Sequence, residues 1–218
     1  MSKAGTSSAR AGERPGEQVS SGGRREVIIA KAIEVFARDG YEDSKWADVA
    51  HAVGIGPTAL YYYFESKVHC LFVILAEALQ GHREEFERVT KNAQDFDTGL
   101  NEALRAGFRL SDHEVARMRI LVAEQGRAAI RRKSELEESA RMLARERLRE
   151  LEFAWAAYLV RGMEQGVIPE ADPAMLARAL LGMNTSVWHW YRPGGTVSLR
   201  QVEDFFVERQ MAVAKLGV

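Results

Sequence analysis

The sequence predicts an all-α fold of about nine helices, arranged as a small N-terminal three-helix unit followed by a larger helical bundle. Three observations predict it. No proline occurs between residues 58 and 168, a stretch rich in Ala, Leu, Glu and Arg that lacks strand-type alternation. Apolar residues recur at helical spacing, as in Ile28, Ile29, Ala32, Ile33 and Phe36. Stop signals then punctuate the pattern at Gly40, Gly166 and Pro193-Gly194-Gly195.

Each element follows in order. The first helix spans about 24–39 and stops at Gly40. The second spans about 45–52 with Ser44 as its N-cap. The third spans about 57–63, with Pro57 at its first position, where the missing N–H costs nothing. The fourth starts after Ser66 and reaches about Val89. The fifth and sixth fall within about 98–110 and 112–130. The seventh is long, about 134–166. The eighth runs about 173–191, and the ninth about 198–215 behind Ser198.

Composition limits the function classes. The chain has 218 residues, 46% hydrophobic and 28% charged, which is enough apolar material for a substantial core. Lys and Arg number 30 against 31 Asp and Glu, so any electrostatic footprint must be local. The single cysteine, Cys70, excludes an intramolecular disulfide framework and fits a reducing cytoplasm. The apolar run Phe153–Val160 is too short to cross a bilayer, and the first 25 residues hold no hydrophobic run, so neither membrane nor secretion is expected. Residues 1–23 carry one valine and no aromatic. They read as a disordered arm that, with Arg24 and Arg25, sets five cations against two acids.

Residues 44–64, SKWADVAHAVGIGPTALYYYF, carry the functional signal. Ala50 stands where two short helices must approach closely. Gly54, four residues later, supplies the left-handed turn, and Leu60 returns to the same small core beside Val49 and Val53. That Ala–Gly–Leu spacing is what a helix-turn-helix requires. Lys45 and Lys67 each fall in the first turn of a helix, against the dipole, which makes sense if an external phosphate sits there. Three consecutive tyrosines on a short helix cannot all face inward, because neighbours are 100° apart. Tyr63 and Phe64 are assigned to packing, and Tyr61 and Tyr62 to an outward, phosphate-facing role. Residues 1–70 nevertheless hold nine basic and nine acidic residues, so the acids (Glu34, Asp39, Glu42, Asp43) must lie away from any DNA.

Residues 25–71 resemble the N-terminal DNA-binding domain of the TetR family of transcriptional regulators. The resemblance is carried by Ala32–Phe36, Gly40-Tyr41, Asp48-Val49-Ala50, Gly54-Ile55 and above all Leu60-Tyr61-Tyr62-Tyr63-Phe64-Glu65-Ser66-Lys67. It implies phosphate contacts at Lys45, Tyr61, Tyr62 and Lys67, a backbone touch at Ser44, and base-edge positions at Pro57, Thr58 and Ala59. The chain departs from the family's usual pattern at Gly56, Pro57 and Trp46. With one hydroxyl and two small apolar groups on the reading positions, base readout leans on van der Waals contacts such as those to a thymine methyl, on Tyr62, or on DNA shape.

The resemblance further implies domains at 24–70 (DNA-binding) and 71–218 (ligand-binding and dimerisation), the latter holding a small-molecule effector. Trp155 and Tyr158 share a face of the seventh helix and are the expected pocket wall, with Phe108 opposite and Arg119 as an anchor for an anionic effector. Apolar stripes on the last two helices fit a homodimer, and two recognition helices about 34–36 Å apart would read a palindromic operator. The string Trp188-His189-Trp190-Tyr191-Arg192-Pro193-Gly194-Gly195 is similar to a helix ending in TetR-family regulators of lipid, steroid or acyl-CoA catabolism, pointing to an acyl-CoA or hydrophobic acid. No P-loop, G-x-S-x-G, dinucleotide glycine run or H-E-x-x-H is present and the five histidines are scattered, so no enzyme, metal or cofactor is expected. The expected function is a ligand-responsive repressor, and the rival is a helical adaptor that does not bind DNA.

Overall fold

The structure, a computed structural model, describes residues 21–216. Among the described residues it contains nine α-helices, one 3-10 segment and no strand: α1 Ser21–Asp39, α2 Trp46–Val53, α3 Pro57–Tyr63, α4 Lys67–Asn92, α5 Phe96–Ala106, α6 Asp112–Glu124, the 3-10 segment Gln125–Ala129, α7 Glu135–Glu164, α8 Pro173–Trp190 and α9 Leu199–Lys215. The all-α architecture is the one the sequence predicts. Most of the expected arm, residues 1–20, lies outside the described residues. Its last three residues already belong to α1.

Helix starts are set by short polar side chains that accept the orphan N–H groups of each first turn. Ser66, Asp95, Ser111, Ser134, Asp172 and Ser198 cap α4 to α9 in turn. Two helices are exceptions: α3 begins at Gly56 with Pro57 in its first turn and no side-chain cap, and α2 is capped in another way. Its N-cap is Lys45, whose N–H is accepted by Asp48 Oδ2 at 3.0 Å, so the carboxylate in the first turn does the capping from within the helix. The expected sixth helix breaks at Gln125 into the 3-10 segment, and the expected fifth ends at Ala106 rather than near 110, in a turn where Leu110 N–H bonds Phe108 C=O at 2.9 Å.

Two hydrophobic cores share α4. The first holds Ile28, Ala32 and Phe36 of α1, Val49 and Ala50 of α2, Leu60 and Phe64 from α3 and its end, and continues along α4 through Cys70 and Ile74 to Ala78. It also takes Ile120 and Leu121 from α6 and Ala140 from α7. The second gathers Phe86, Leu104, Phe108, Trp155, Leu180, Trp188 and Val207 from α4, α5 and the α7–α9 layer. The N-terminal unit is therefore seated on α6 and α7, with α4 running as a common beam between the two cores.

Close approach of α5 to α7 depends on Gly162. A Cβ there would fall 2.3 Å from Phe96 Cζ, and that ring is stacked on Tyr158 at 4.9 Å between centroids. Gly162→Ala gains about 1 kcal/mol of helix propensity but overpacks the site, which costs about 1–3 kcal/mol. The expected outcome in a thermal melt is a Tm lower by a few degrees. An unchanged or raised Tm would contradict the packing.

Candidate nucleic-acid interface and ligand cavity

The helix-turn-helix is built as its spacing requires. Val49, Ala50 and Leu60 are fully buried. Gly54 adopts φ 76°, the left-handed conformation, with its N–H on His51 C=O, and Ile55 N–H returns to Ala50 C=O at 3.0 Å. This turn aims α3 outward. Pro57, Thr58 and Ala59 are all exposed, and Tyr61 and Tyr62 stand 56% and 84% accessible while Phe64 is sealed at 0%. Tyr63 is half-buried, edge-on to Tyr62 at 5.4 Å. The division of the tyrosines into two outward and one packing residue is the one helical geometry imposes. Lys45 is exposed beside them.

Ser44 and Lys67 are placed differently from expectation. Ser44 is buried, and its hydroxyl donates to Tyr41 C=O at 2.9 Å, so it neither caps α2 nor faces outward. Lys67 does stand in the first turn of α4, but its ammonium turns back into the protein. It donates to the carbonyls of Tyr41, Glu42 (3.3 Å) and Ser44 (2.7 Å), and lies 4.4 Å from the Tyr41 ring centroid. Three carbonyls use its three protons. The phosphate role expected of Lys67 is thus corrected: the amine ties α4 to the α1–α2 turn. Burial pulls its pKa below the ordinary lysine range.

Three of the four local acids are paired in place. Glu34 pairs with Lys31 at 2.7 Å, Asp39 with Arg38 at 2.6 Å, and Glu42 with Arg127 of the 3-10 segment. The same Arg127 guanidinium lies 4.9 Å from the Tyr41 ring centroid and bonds Glu124 at 2.5 Å. Tyr41 is buried, its hydroxyl pKa pushed up to about 12 by desolvation. Arg127 therefore carries a direct link from the larger unit to the helix-turn-helix. A second link joins α4 and α7, where Ser66 Oγ donates to Glu137 at 2.6 Å and Ser134 Oγ to Glu65 at 2.5 Å.

Between α4 and α8 lie two adjoining chambers. One, of about 130 Å³, is bounded by Phe86, Leu104, Leu151, Trp155, Leu180 and Gln210 among others. The other, of about 390 Å³, is bounded by Leu75, Leu121, Val122, Gly126, Ala144 and Arg145 among others. Leu79, His82, Met118, Leu148 and Thr185 border both. Trp155 is on the wall as expected. The other expected ligand residues are not. Tyr158 lines neither chamber; its hydroxyl donates to Phe96 C=O at 3.0 Å, and it borders a separate, more open cavity beside Thr90 and Arg161. Phe108 is core, packed on Trp188 at 6.0 Å and Phe206 at 6.2 Å. Arg119 lies outside both; burial, with the charge of Arg192 adding to it, lowers its pKa. His82 and Gln210 escaped the sequence reading. Gln210 leaves a trace there, as the one polar residue at helical spacing among Val202, Phe206 and Val213.

On the outer face of α8 and α9, Met175, Trp190 and Phe205 are exposed, and small residues (Ala179, Gly182, Ser186) run along the middle of α8.

The comparisons with known proteins converge on this geometry. Residues 28–74 match the family model described as bacterial regulatory proteins, tetR family, and residues 108–213 match that of the tetracyclin repressor-like C-terminal domain. The chain belongs to the TetR family. Among relatives, this TetR-family chain is 24% identical over 180 residues to the HTH-type transcriptional repressor KstR2 of Mycolicibacterium smegmatis, covering 82% of this chain and 84% of the relative. The structure of the TetR-family regulator PfmR from Thermus thermophilus superposes with a TM-score of 0.69 at 28% identity, covering 85% of this chain and 97% of that one. AibR in complex with isovaleryl coenzyme A and operator DNA superposes with a TM-score of 0.71 at 20% identity, covering 86% and 98%. No described helix is long and apolar enough to cross a membrane.

His82 of this TetR-family chain gives its cavity a pH signature. Its Nε2 lies 3.3 Å from Met118 Sδ, and burial, reinforced by Arg117 and opposed by Glu114, holds its pKa below the ordinary 6.5. Below that value the unfolded chain takes up a proton that the folded chain resists, so stability falls as pH drops. Between pH 7.5 and 5.5 the native chain is expected to lose more Tm than His82→Gln. Equal losses would contradict the burial.

Proposed function

We propose that this chain is a ligand-responsive transcriptional repressor that binds a palindromic operator as a homodimer in the cytoplasm and releases it on binding a hydrophobic or acyl-CoA-like effector. The observation that carries the reading is the outward α3 helix, held over the Ala50–Gly54–Leu60 core with Tyr61 and Tyr62 exposed, in a chain of which both halves match TetR-family models. Lys45, Tyr61 and Tyr62 contact phosphates, and Pro57, Thr58 and Ala59 meet base edges. Residues 24–70 form the DNA-binding domain and 71–218 the ligand-binding and dimerisation domain, with α4 shared between them.

The effector reading draws on the mainly apolar chambers, on the repressor description of the KstR2 relative, and on the acyl-coenzyme A bound in the AibR structure. Dimerisation draws on the exposed α8–α9 face, whose small central residues permit close helix approach. The reading of release draws on the geometry. An effector in the larger chamber meets Leu75 and Leu79 of α4 and Gln125, Gly126 and Ala128 of the 3-10 segment. Arg127, within that segment, grips Glu42 and Tyr41 beside the helix-turn-helix. A ligand that shifts this segment moves the reading head and changes the spacing of the two α3 helices, which shifts the population away from the DNA-competent state.

A gel shift against the DNA upstream of the chain's own gene tests the reading. Tyr62→Ala is expected to weaken binding about tenfold or more with little change in Tm, because the ring is 84% exposed. A Tyr62→Ala protein that binds like the native chain contradicts the interface, and a native chain that shifts no DNA favours the adaptor reading.

A further inference from the structure

The wall of the smaller chamber holds an unmet demand. Gln210 of α9 is 0% exposed. Its Nε2 donates to Leu180 C=O at 2.8 Å, which fixes the amide, since the flipped amide would set oxygen against oxygen. Its Oε1 is then an acceptor with no donor in the protein. A buried acceptor left unpaired is costly, and this one borders a chamber with room for a ligand group. The other polar groups there offer no cation. The Thr185 hydroxyl is spent on Leu181 C=O at 2.8 Å, His82 is held toward its neutral form, and the sole charged residue on the wall, Glu85, is an acid bound to Arg88 at 2.6 Å. An anionic ligand group at this end would meet an acceptor and a carboxylate. The larger chamber differs. Its sole charged residue is Arg145, exposed at the edge. The two chambers share five wall residues and so adjoin, with apolar Leu79, Met118 and Leu148 at the join.

We infer that the effector is a single elongated amphiphile spanning both chambers, with a hydroxyl or amide N–H donor at its buried end received by Gln210 Oε1, an apolar middle passing Leu79, Met118 and Leu148, and an anionic end at Arg145. This rests on the effector reading above and assigns its polarity. A saturated acid with a plain methyl terminus leaves Gln210 unpaired. A dicarboxylate sets its second anion against Gln210 and Glu85.

Isothermal titration of the full chain with 10-hydroxydecanoate, decanoate and decanedioate tests the inference. The hydroxy acid is expected to bind about five- to tenfold more tightly than decanoate, and the diacid most weakly. Gln210→Met, close in shape, is expected to bind the first two equally. Arg145→Ala, an exposed change that leaves the cores intact, is expected to weaken all three acids while keeping their order, and it decides the matter with the native chain if Gln210→Met does not fold. Equal binding of decanoate and 10-hydroxydecanoate by the native chain, as a water-satisfied Gln210 would give, overturns the inference. So does a preference that survives in folded Gln210→Met. Failure of all three to bind a preparation that still shifts operator DNA overturns the inference alone; failure to shift DNA as well counts against the function proposed above.

Discussion

The ring of Tyr41 sits between two cations, and the reading head depends on that seat. Lys67 approaches at 4.4 Å and Arg127 at 4.9 Å, and Phe36 closes a further side edge-on at 5.1 Å. Desolvated cation–aromatic contacts of this kind are worth about 2 kcal/mol or less each. Here they bring together three parts of the chain that are distant in sequence: the turn after α1, the first residue of α4 and the 3-10 segment after α6. The backbone takes part as well, since the Tyr41 and Ser44 carbonyls accept from Lys67 and the Tyr41 carbonyl also accepts from Ser44. A small helix-turn-helix with few buried side chains of its own is thereby fixed in orientation on a larger body.

Orientation is what a dimeric DNA reader has to control. The recognition surface proposed for this chain is chemically sparse: two tyrosines, one lysine, one threonine hydroxyl and two small apolar residues. Such a surface discriminates more by fit and spacing than by hydrogen-bond readout. The neutral charge balance of the N-terminal unit is consistent with this, because Glu34, Asp39 and Glu42 are each matched by a neighbouring cation and do not have to be turned far from the DNA. Sensitivity to ligand follows from the same construction. The segment carrying Arg127 also borders the larger chamber, so one short stretch of backbone touches both the ligand space and the Tyr41 seat.

Legibility in the sequence tracks how local each interaction is. Ala50, Gly54 and Leu60 reveal the helix-turn-helix because their roles follow from spacing within one short segment. Tyr61 and Tyr62 could be assigned outward because helical geometry alone forbids three inward rings. Lys67 could not be read correctly, because its partners are carbonyls 23 to 26 residues away and a sequence pattern does not display carbonyls. Ser44 lost the cap to Asp48, which competes from inside the helix. Phe108, Tyr158 and Trp155 are all buried aromatics, and only the neighbours supplied by other helices put Trp155 on the wall of the chambers between α4 and α8 and the other two elsewhere. Gln210 is a polar residue on an apolar stripe, which the sequence reading passed over, and its orphan oxygen emerges only once Leu180 is seen to occupy the other end of the amide.

The central claim is that Lys67, Tyr41 and Arg127 act as one unit joining head to body. A double-mutant cycle of Tyr41→Leu and Arg127→Ala in urea unfolding measures it directly. The two losses are expected to be non-additive by about 0.5–2 kcal/mol, since removal of the ring already removes what Arg127 rests on. Additive losses would mean that the two residues stabilise the protein independently, and would contradict the account.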